Sequence, residues 1–570
     1  MHRQGGVVLL ALVSTALLTP TPLVAQQRHN VLLVMIDDLG PEYVGCYAGL
    51  PNPPATPVLD QFAATGVRFE NAIADPVCTP SRACLQTGRH AFRSDSVMVL
   101  YVGDPGLRDE ELLLPEVLAT SGYARAMIGK WHLGDRHGNA TPNVQGWPHF
   151  IGTMYGGLVD YYNWPKNTNG VASTCTRYAT TDQIDDALAW IQAQPATQPW
   201  LMLLCLNAPH GVFHAPPAHL HHQDLAGLSP ATTPIPFYSA MVEAVDTELG
   251  RLLQAIAPLR ATTDILVFGD NGTPGEVNQF GLPRNRCKGS LYRTGQRIPF
   301  LANGPSVAQP GRVVADPVHV LDVFPTVLEL CAVDPQAALP PGYRLDGRSL
   351  LPLLQAQPVP PRTTFVEVIG TGYGNGVATE AAGYKLLRIS DDIPNAAHEE
   401  LYAIATDPWE TNDLLARPLT ASELASYQQL DAAMRAIDSR GYGLVVGAGC
   451  PGSFGPARLM MLLTPNVGAT FYLRVPSPTA APGPLPLLLT AGTTNLALDL
   501  GPYGMPGCRL YADPVLNVHV GLTSQLAPLY VPNDPGLIGL GVTFQGWVFD
   551  PAVNALRVIT TPGYRVTLGS

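Results

Sequence analysis

Four short apolar runs, each followed at once by polar residues of reactive type, constrain this chain most. Val31–Ile36 runs into Asp37-Asp38, and Ala124–Ile128 into Gly129-Lys130-Trp131-His132. Trp200–Leu206 runs into Asn207-Ala208-Pro209-His210, and Ile265–Phe268 into Gly269-Asp270-Asn271-Gly272. An unbroken apolar run of strand length reads as a strand buried on both faces, as in parallel sheets covered by helices. Helical spacing over Thr181–Ile191 and Tyr238–Ile256 supplies such covering elements, and Val320–Leu330 reads as another helix, entered through Asp316-Pro317. The expected fold is therefore α/β, a large mostly parallel sheet flanked by helices. Open sheets of this kind bind ligands beyond the carboxyl ends of their strands. If the four runs are parallel neighbours, their polar followers meet in one crevice.

The chemistry of those followers is coherent. Asp37, Asp38, Asp270 and Asn271 offer only oxygens, which suits a hard cation, calcium or magnesium, rather than zinc. Adjacent aspartates repel unless a cation lies between them. Taken singly, Asp-Asp also reads as a turn or helix cap, and Asp-Asn-Gly as a turn. Lys130, His132 and His210 add cationic and proton-transfer groups, although a lone histidine at a strand end is more often structural. His214 follows His210 at a four-residue spacing, but Gly211 and Pro216-Pro217 argue against a helical metal pair.

The formal charge of −12 gives no general attraction for nucleic acid or other polyanions, so an anionic substrate needs a locally concentrated positive site. Among 33 Lys and Arg there are only the lysines Lys130, Lys166, Lys288 and Lys385. In so arginine-rich a chain a lysine marks a place for a compact point charge.

The segment Cys78-Thr79-Pro80-Ser81-Arg82-Ala83-Cys84-Leu85-Gln86-Thr87-Gly88-Arg89 closely resembles the signature of the sulfatases, Cys-x-Pro-Ser-Arg followed by Thr-Gly-Arg. By itself the segment also reads as a buried cysteine entering a helix capped by Thr79 or Ser81. The resemblance continues through Asn30–Gly40, Gly129–Gly134, Ala208-Pro209-His210, Phe268–Gly272, Lys288–Tyr292 with Arg297-Ile298-Pro299, and Asp407–Leu414. It spans roughly residues 30 to 440. One departure is Arg293-Thr294, where an acidic residue and Gly are usual; it is expected to bear on the substrate pocket.

The resemblance implies the alkaline-phosphatase-like fold and a sulfuric ester hydrolase of the alkaline phosphatase superfamily, with roles for named residues. A maturation enzyme would oxidise Cys78 to formylglycine, whose hydrate attacks sulfur with one hydroxyl and expels sulfate through the other. Asp37, Asp38, Asp270 and Asn271 would hold Ca2+ (Mg2+ being second choice), with residue 78 also at the metal. Lys130 and Lys288 would hold sulfate oxygens, Arg82 would steady the nucleophile, His210 would protonate the leaving oxygen and His132 would act as base. A phosphodiester or phosphonate monoester hydrolase of the same superfamily is the nearest alternative. A non-catalytic carbohydrate-binding protein is the alternative of another class.

The expected organisation is a signal peptide over 1–25, a catalytic α/β domain over 26–345, a small C-terminal α+β subdomain over 346–445, and an all-β sandwich-like module over 447–570. The N-terminus has basic His2-Arg3, an apolar run from Val7 to Leu18, and Ala25 before Gln26-Gln27. That run is shorter than the ~20 residues of a membrane span. Export to the periplasm, cell surface or medium is therefore expected, with no membrane span after signal removal and no nucleic-acid partner. Gly447–Ser570 has no Lys or Glu and many short alternating runs, with Cys450 and Cys508 a candidate disulfide. Export and such a module point to a sulfated carbohydrate, although other sulfate esters fit. Two segments that would decide the substrate, Tyr155–Ala172 and Gly211–Pro236, cannot be placed from sequence.

Overall fold

The computed structural model describes residues 28–362 except positions 48, 51, 95 and 98, most of 365–438, and the strands with some adjoining positions between 444 and 567. The signal-like N-terminus and Cys450 lie outside the described residues. Ten strands form the main sheet: β1 (Asn30–Ile36), β2 (Val67–Phe69), β3 (Ala124–Lys130), β4 (His149–Thr153), β5 (Trp164–Thr168), β6 (Val171–Cys175), β7 (Trp200–Leu206), β8 (Thr263–Gly269), β9 (Phe300–Asn303) and β10 (Arg312–Val314). Their order is β10-β2-β9-β8-β1-β7-β3-β4-β5-β6.

The four apolar runs are thus the contiguous centre β8-β1-β7-β3, and every pair among these neighbours is parallel. Toward the edges the sheet becomes mixed, because β9 runs antiparallel to β8 and β5-β6 is a hairpin. Alternate residues of β1 serve two cores. Val31, Leu33 and Met35 pack toward helices α1 (Cys78–Thr87) and α4 (Val323–Leu330). Leu32, Val34 and Ile36 pack toward α2 (Ala179–Gln192) and α3 (Pro234–Ala255). Each such side chain contributes ~1.5–3 kcal/mol by leaving water, which is why the strand has no polar position after Asn30 at its edge.

The helix expected at Val320–Leu330 is entered differently. Residues 318–319 pair with 72–73 as a short strand, and His319, not Asp316-Pro317, caps the helical turn by accepting from the Leu321 amide (3.1 Å). A four-stranded antiparallel sheet follows, β11 (Phe365–Thr371), β12 (Gly374–Ala381), β13 (Tyr384–Ser390) and β14 (His398–Tyr402), with helix α5 (Ala421–Asp438). The last part of the chain is strand-rich, its largest described sheet holding six strands, five in line and one branching off, around a small core that includes Leu487, Leu489 and Val548. Cys508 is disulfide-bonded, whereas Cys46, Cys78, Cys84, Cys175, Cys205, Cys287 and Cys331 are free. Among the described residues no helix is long and apolar enough to cross a membrane.

Candidate active site

Because the central strands are parallel and adjacent, their carboxyl ends deliver Asp37-Asp38, Asp270-Asn271, Lys130-His132 and His210 to one place. Asp38 and His132 hold positive φ (64° and 56°), an uncommon backbone for such residues that turns each side chain inward. Cys78 enters as the first residue of α1. Pro80 fits that first turn because no helical hydrogen bond is asked of its nitrogen. Val77 is the N-cap and offers no side-chain acceptor, while the hydroxyls expected to cap work elsewhere. Thr79 donates to the His132 carbonyl (3.2 Å) and Ser81 to that of Asp75 (3.0 Å). The free amides of this helix start add positive potential at Cys78.

Lys130 Nζ lies 2.5 Å from Asp37 Oδ2, and Lys288 pairs with Asp38 Oδ1. Arg82 donates to Asp270 Oδ2 and to the Lys130 carbonyl, each at 2.8 Å. Asn271 donates to Asp38 Oδ1 (2.8 Å), and His210 Nε2 stands 3.8 Å from Asp38 Oδ2. Asp37, Asp38, Cys78 and His210 each place a ligand-type atom within 4.8 Å of the others. Asp270 stands beside this group with one oxygen on Arg82 and the other on the Asp38 amide (3.0 Å). Every site residue expected from the sequence therefore belongs to one cluster, and all but His210 and Lys288 are buried.

A hard cation fits these donors. Asp37 Oδ1 and Asn271 Oδ1 are buried with no hydrogen-bond partner, a costly state for an oxygen unless something positive meets it. Asp37, Asp38, Asp270 and Asn271 offer only oxygens, the set calcium or magnesium takes, with the Cys78 sulfur and the His210 nitrogen beside them.

The electrostatics separate the groups. Burial would raise the Cys78 thiol, but Lys130 and Lys288 hold it well below the ordinary range. Burial, aided by Lys130, keeps His132 below the usual imidazole value. Burial acts the same way on His210, yet Asp38 and Asp37 together raise it. Burial, with Asp37 nearby, pushes Asp270 up to about 6. One imidazole is thus kept neutral, with a free site for a proton, and the other is favoured in its protonated form, the division that acid–base catalysis requires.

Several supports were not legible in the sequence. Tyr238 donates to the Asp38 carbonyl (2.6 Å), and Tyr161 to those of Asn207 (2.8 Å) and His210 (2.7 Å). Tyrosines in apolar stretches carry no signal of such a role. Arg293 and Thr294 are buried on the stretch that carries Lys288: the Arg293 amide donates to Glu410 (2.6 Å), its guanidinium to Asn71 (3.3 Å), and the Thr294 hydroxyl to the Arg286 carbonyl.

Behind α1, fully buried His319 lies 4.0 Å from Asp75, which accepts from Cys84 Sγ (3.0 Å). Burial holds His319 well below the ordinary imidazole range. The unfolded chain therefore binds a proton below about pH 6.5 that the folded chain refuses, so this stabilisation is present above that pH and lost on acidification. His319→Asn keeps a capping acceptor and removes the titration. Its stability should fall less steeply than the parent's between pH 6.5 and 5, by about 1.4 kcal/mol per pH unit in urea melts.

The family model described as Sulfatase matches residues 29–333, more than half of the chain. The chain belongs to the sulfatase family. The sulfatase is 28% identical to mouse steryl-sulfatase over 425 residues, 58% of this chain and 66% of that one. It is 31% identical to human arylsulfatase A over 375 residues (59% and 69%) and 29% identical to human N-acetylgalactosamine-6-sulfatase over 368 (58% and 66%). The matched part thus spans about two thirds of these relatives. Among solved structures, Ps i-CgsB superposes with a TM-score of 0.61 at 26% identity, covering 72% of this chain and 93% of its own. The same protein in complex with k-i-k-neocarrahexaose gives 0.60 at 25%, with the same coverage.

Proposed function

We propose that this sulfatase is an exported hydrolase of sulfate esters, acting through a formylglycine made from Cys78. The carrying observation is the convergence of Cys78, two lysines, two oppositely tuned histidines and an oxygen-only donor set at one strand-end crevice. The crevice also explains how a chain of net charge −12 takes an anion, since a buried local cluster outweighs a diffuse, salt-screened surface charge.

Asp37, Asp38, Asp270 and Asn271 would hold Ca2+, which when bound supplies charge that polarises the ester and favours an ionised nucleophile. Formylglycine made from Cys78 would, as its hydrate, supply one hydroxyl as nucleophile and a second whose ionisation would permit sulfate release. The remaining work falls to this chain's side chains. Lys130 and Lys288 hold sulfate oxygens, and Arg82, clamped on Asp270, fixes the floor beneath residue 78. His210 gives its proton to the leaving oxygen, and His132 accepts one at residue 78.

A sulfated carbohydrate is the substrate class this reading favours. The signal-like N-terminus, the strand-rich C-terminal part and the likeness to a sulfatase-fold protein crystallised with neocarrahexaose support it. A formylglycine-generating enzyme is the implied partner.

The test is co-expression with such an enzyme, followed by an aryl sulfate, the matching phosphonate monoester and the phosphodiester. Sulfate-selective turnover supports the reading, whereas preference for either phosphorus ester overturns it. The metal assignment has its own readout. Ca2+ at about 100 times its Kd should raise stability to unfolding by about 2.7 kcal/mol, and Asp37→Asn should abolish most of that gain.

A further inference from the structure

The first turn of α1 does a second job besides presenting residue 78. Thr79, the next residue and fully buried, carries a hydroxyl that donates to the His132 carbonyl (3.2 Å) and accepts from the Leu100 amide (3.3 Å). A hydroxyl donates and accepts at once, which no apolar side chain of that size can do. Leu100 in turn sets its carbonyl on His132 Nε2 (3.0 Å). One side chain thus holds both the backbone of His132 and the backbone segment that holds its ring.

A carbonyl oxygen has no proton to give, so the Leu100 contact requires the proton of the neutral ring to sit on Nε2. The lone pair then falls to Nδ1, which is buried and has no hydrogen-bond partner among the described residues. Against burial, the influence that most favours a further proton on this ring is Cys78. The ring has little room for another arrangement. The His132 amide is bonded to the Met154 carbonyl (3.1 Å), and a Cβ on Gly156 would come within 2.9 Å of Cε1 and 3.0 Å of Nε2, so the Gly156 backbone lies close against that edge of the imidazole.

We infer that Thr79 is the positioning residue for His132: by clamping Leu100 to the His132 backbone it fixes the Nε2-protonated tautomer and keeps Nδ1 free as the base at residue 78. The inference rests on the sulfatase reading, in which His132 works as sulfate leaves. There His132 Nδ1 accepts the proton of the hydroxyl remaining at residue 78, whose O–H electron pair closes the aldehyde C=O while sulfate departs with the C–O pair. A ring in the other tautomer turns an N–H toward that hydroxyl and cannot take its proton.

The tautomer is read first, on the full chain with Cys78 unconverted and its histidines labelled with ¹⁵N, at about pH 8, where imidazoles are neutral. The His132 signals are those missing from His132→Gln. The parent should carry the proton on Nε2, Thr79→Val should turn His132 into a mixture of tautomers, and Thr79→Ser should restore the parent pattern. The second readout uses the formylglycine-containing enzyme with Ca2+ and 4-nitrophenyl sulfate, with rates expressed per aldehyde. In Thr79→Val kcat and KM should fall together about tenfold and kcat/KM should stay within about twofold, with a burst of nitrophenol, because the alcohol has left before the slowed step. Thr79→Ser should recover most of kcat. A fall in kcat/KM as large as that in kcat marks a packing defect and overturns the inference. A parent ring protonated on Nδ1 overturns it too, and needs no variant to fold. Failure of the sulfatase reading shows separately, as a wild type that carries the aldehyde yet is inert toward every sulfate ester while its nitrogen spectrum keeps the Nε2 proton.

Discussion

Cys78→Ala should lose turnover by at least about 10⁴-fold while melting within a few degrees of the parent, because on the proposed formylglycine reading the substitution removes the atom from which the nucleophile would be made. The structural cost is small. Cys78 is 3% exposed at the first position of α1, where the helix asks for no side-chain cap, and alanine is the best helix former. The catalytic cost is not small, since Lys130, Lys288 and the helix start all aim positive charge at that one position. Lys130 and Lys288 stay paired with Asp37 and Asp38 in the variant, so the crevice keeps its charge balance. The checks are steady-state rates on an aryl sulfate and a thermal melt of the same sample. Retained activity would transfer the chemistry to another residue; a collapsed melt would make Cys78 a packing residue.

How much of this was legible depends on whether a residue's job was local. The four central strands were legible because burial on both faces leaves nothing polar to confuse the pattern, and parallel pairing then forces their followers together. The edges were not, since pairing of Val67–Phe69 with Phe300–Asn303 joins residues far apart in sequence by backbone bonds alone. The cap of the 320–330 helix was misread because Asp316-Pro317 has the local look of a helix entry, while the pairing of 318–319 with 72–73 is a tertiary choice. The lysine bias carried more than was drawn from it. Lys130 and Lys288 lie in the crevice, and Lys166 sits between Asp182 and Asp186 (2.5 and 2.6 Å). Gly156 and Gly157, packed against the His132 and His210 rings, had no such mark, because nothing in a Gly-Gly pair says which side chain needs the room.

Lys385, the remaining lysine, should prove to be the residue outside the crevice whose loss is felt most. It is 1% exposed on β13, yet its Nζ reaches the Leu291 carbonyl (2.5 Å), Gln296 Oε1 (2.6 Å) and Glu410 (3.0 Å). Glu410, equally buried, accepts from the Arg293 amide (2.6 Å), and its own carbonyl takes Arg286 Nη1 (2.6 Å). The pair therefore grips residues 286–296 from both ends, and Lys288 is carried on that stretch. Lys385→Met leaves Glu410 buried without its cation, a loss of about 3–5 kcal/mol, or roughly 6–10 °C in Tm. Sulfate-ester turnover should fall about tenfold or more as Lys288 loses its fixed backbone. The pH dependence identifies the cause. Burial already raises Glu410 against the pull of Lys385, so removing the lysine raises it further. A carboxyl with a raised folded pKa binds its proton more readily when folded, so the variant's deficit should be largest above neutrality and shrink as pH falls toward 5. Lys385→Met combined with Glu410→Gln should recover at least half the lost stability and flatten that pH dependence, whereas a purely steric defect would leave the double variant as unstable as the single one.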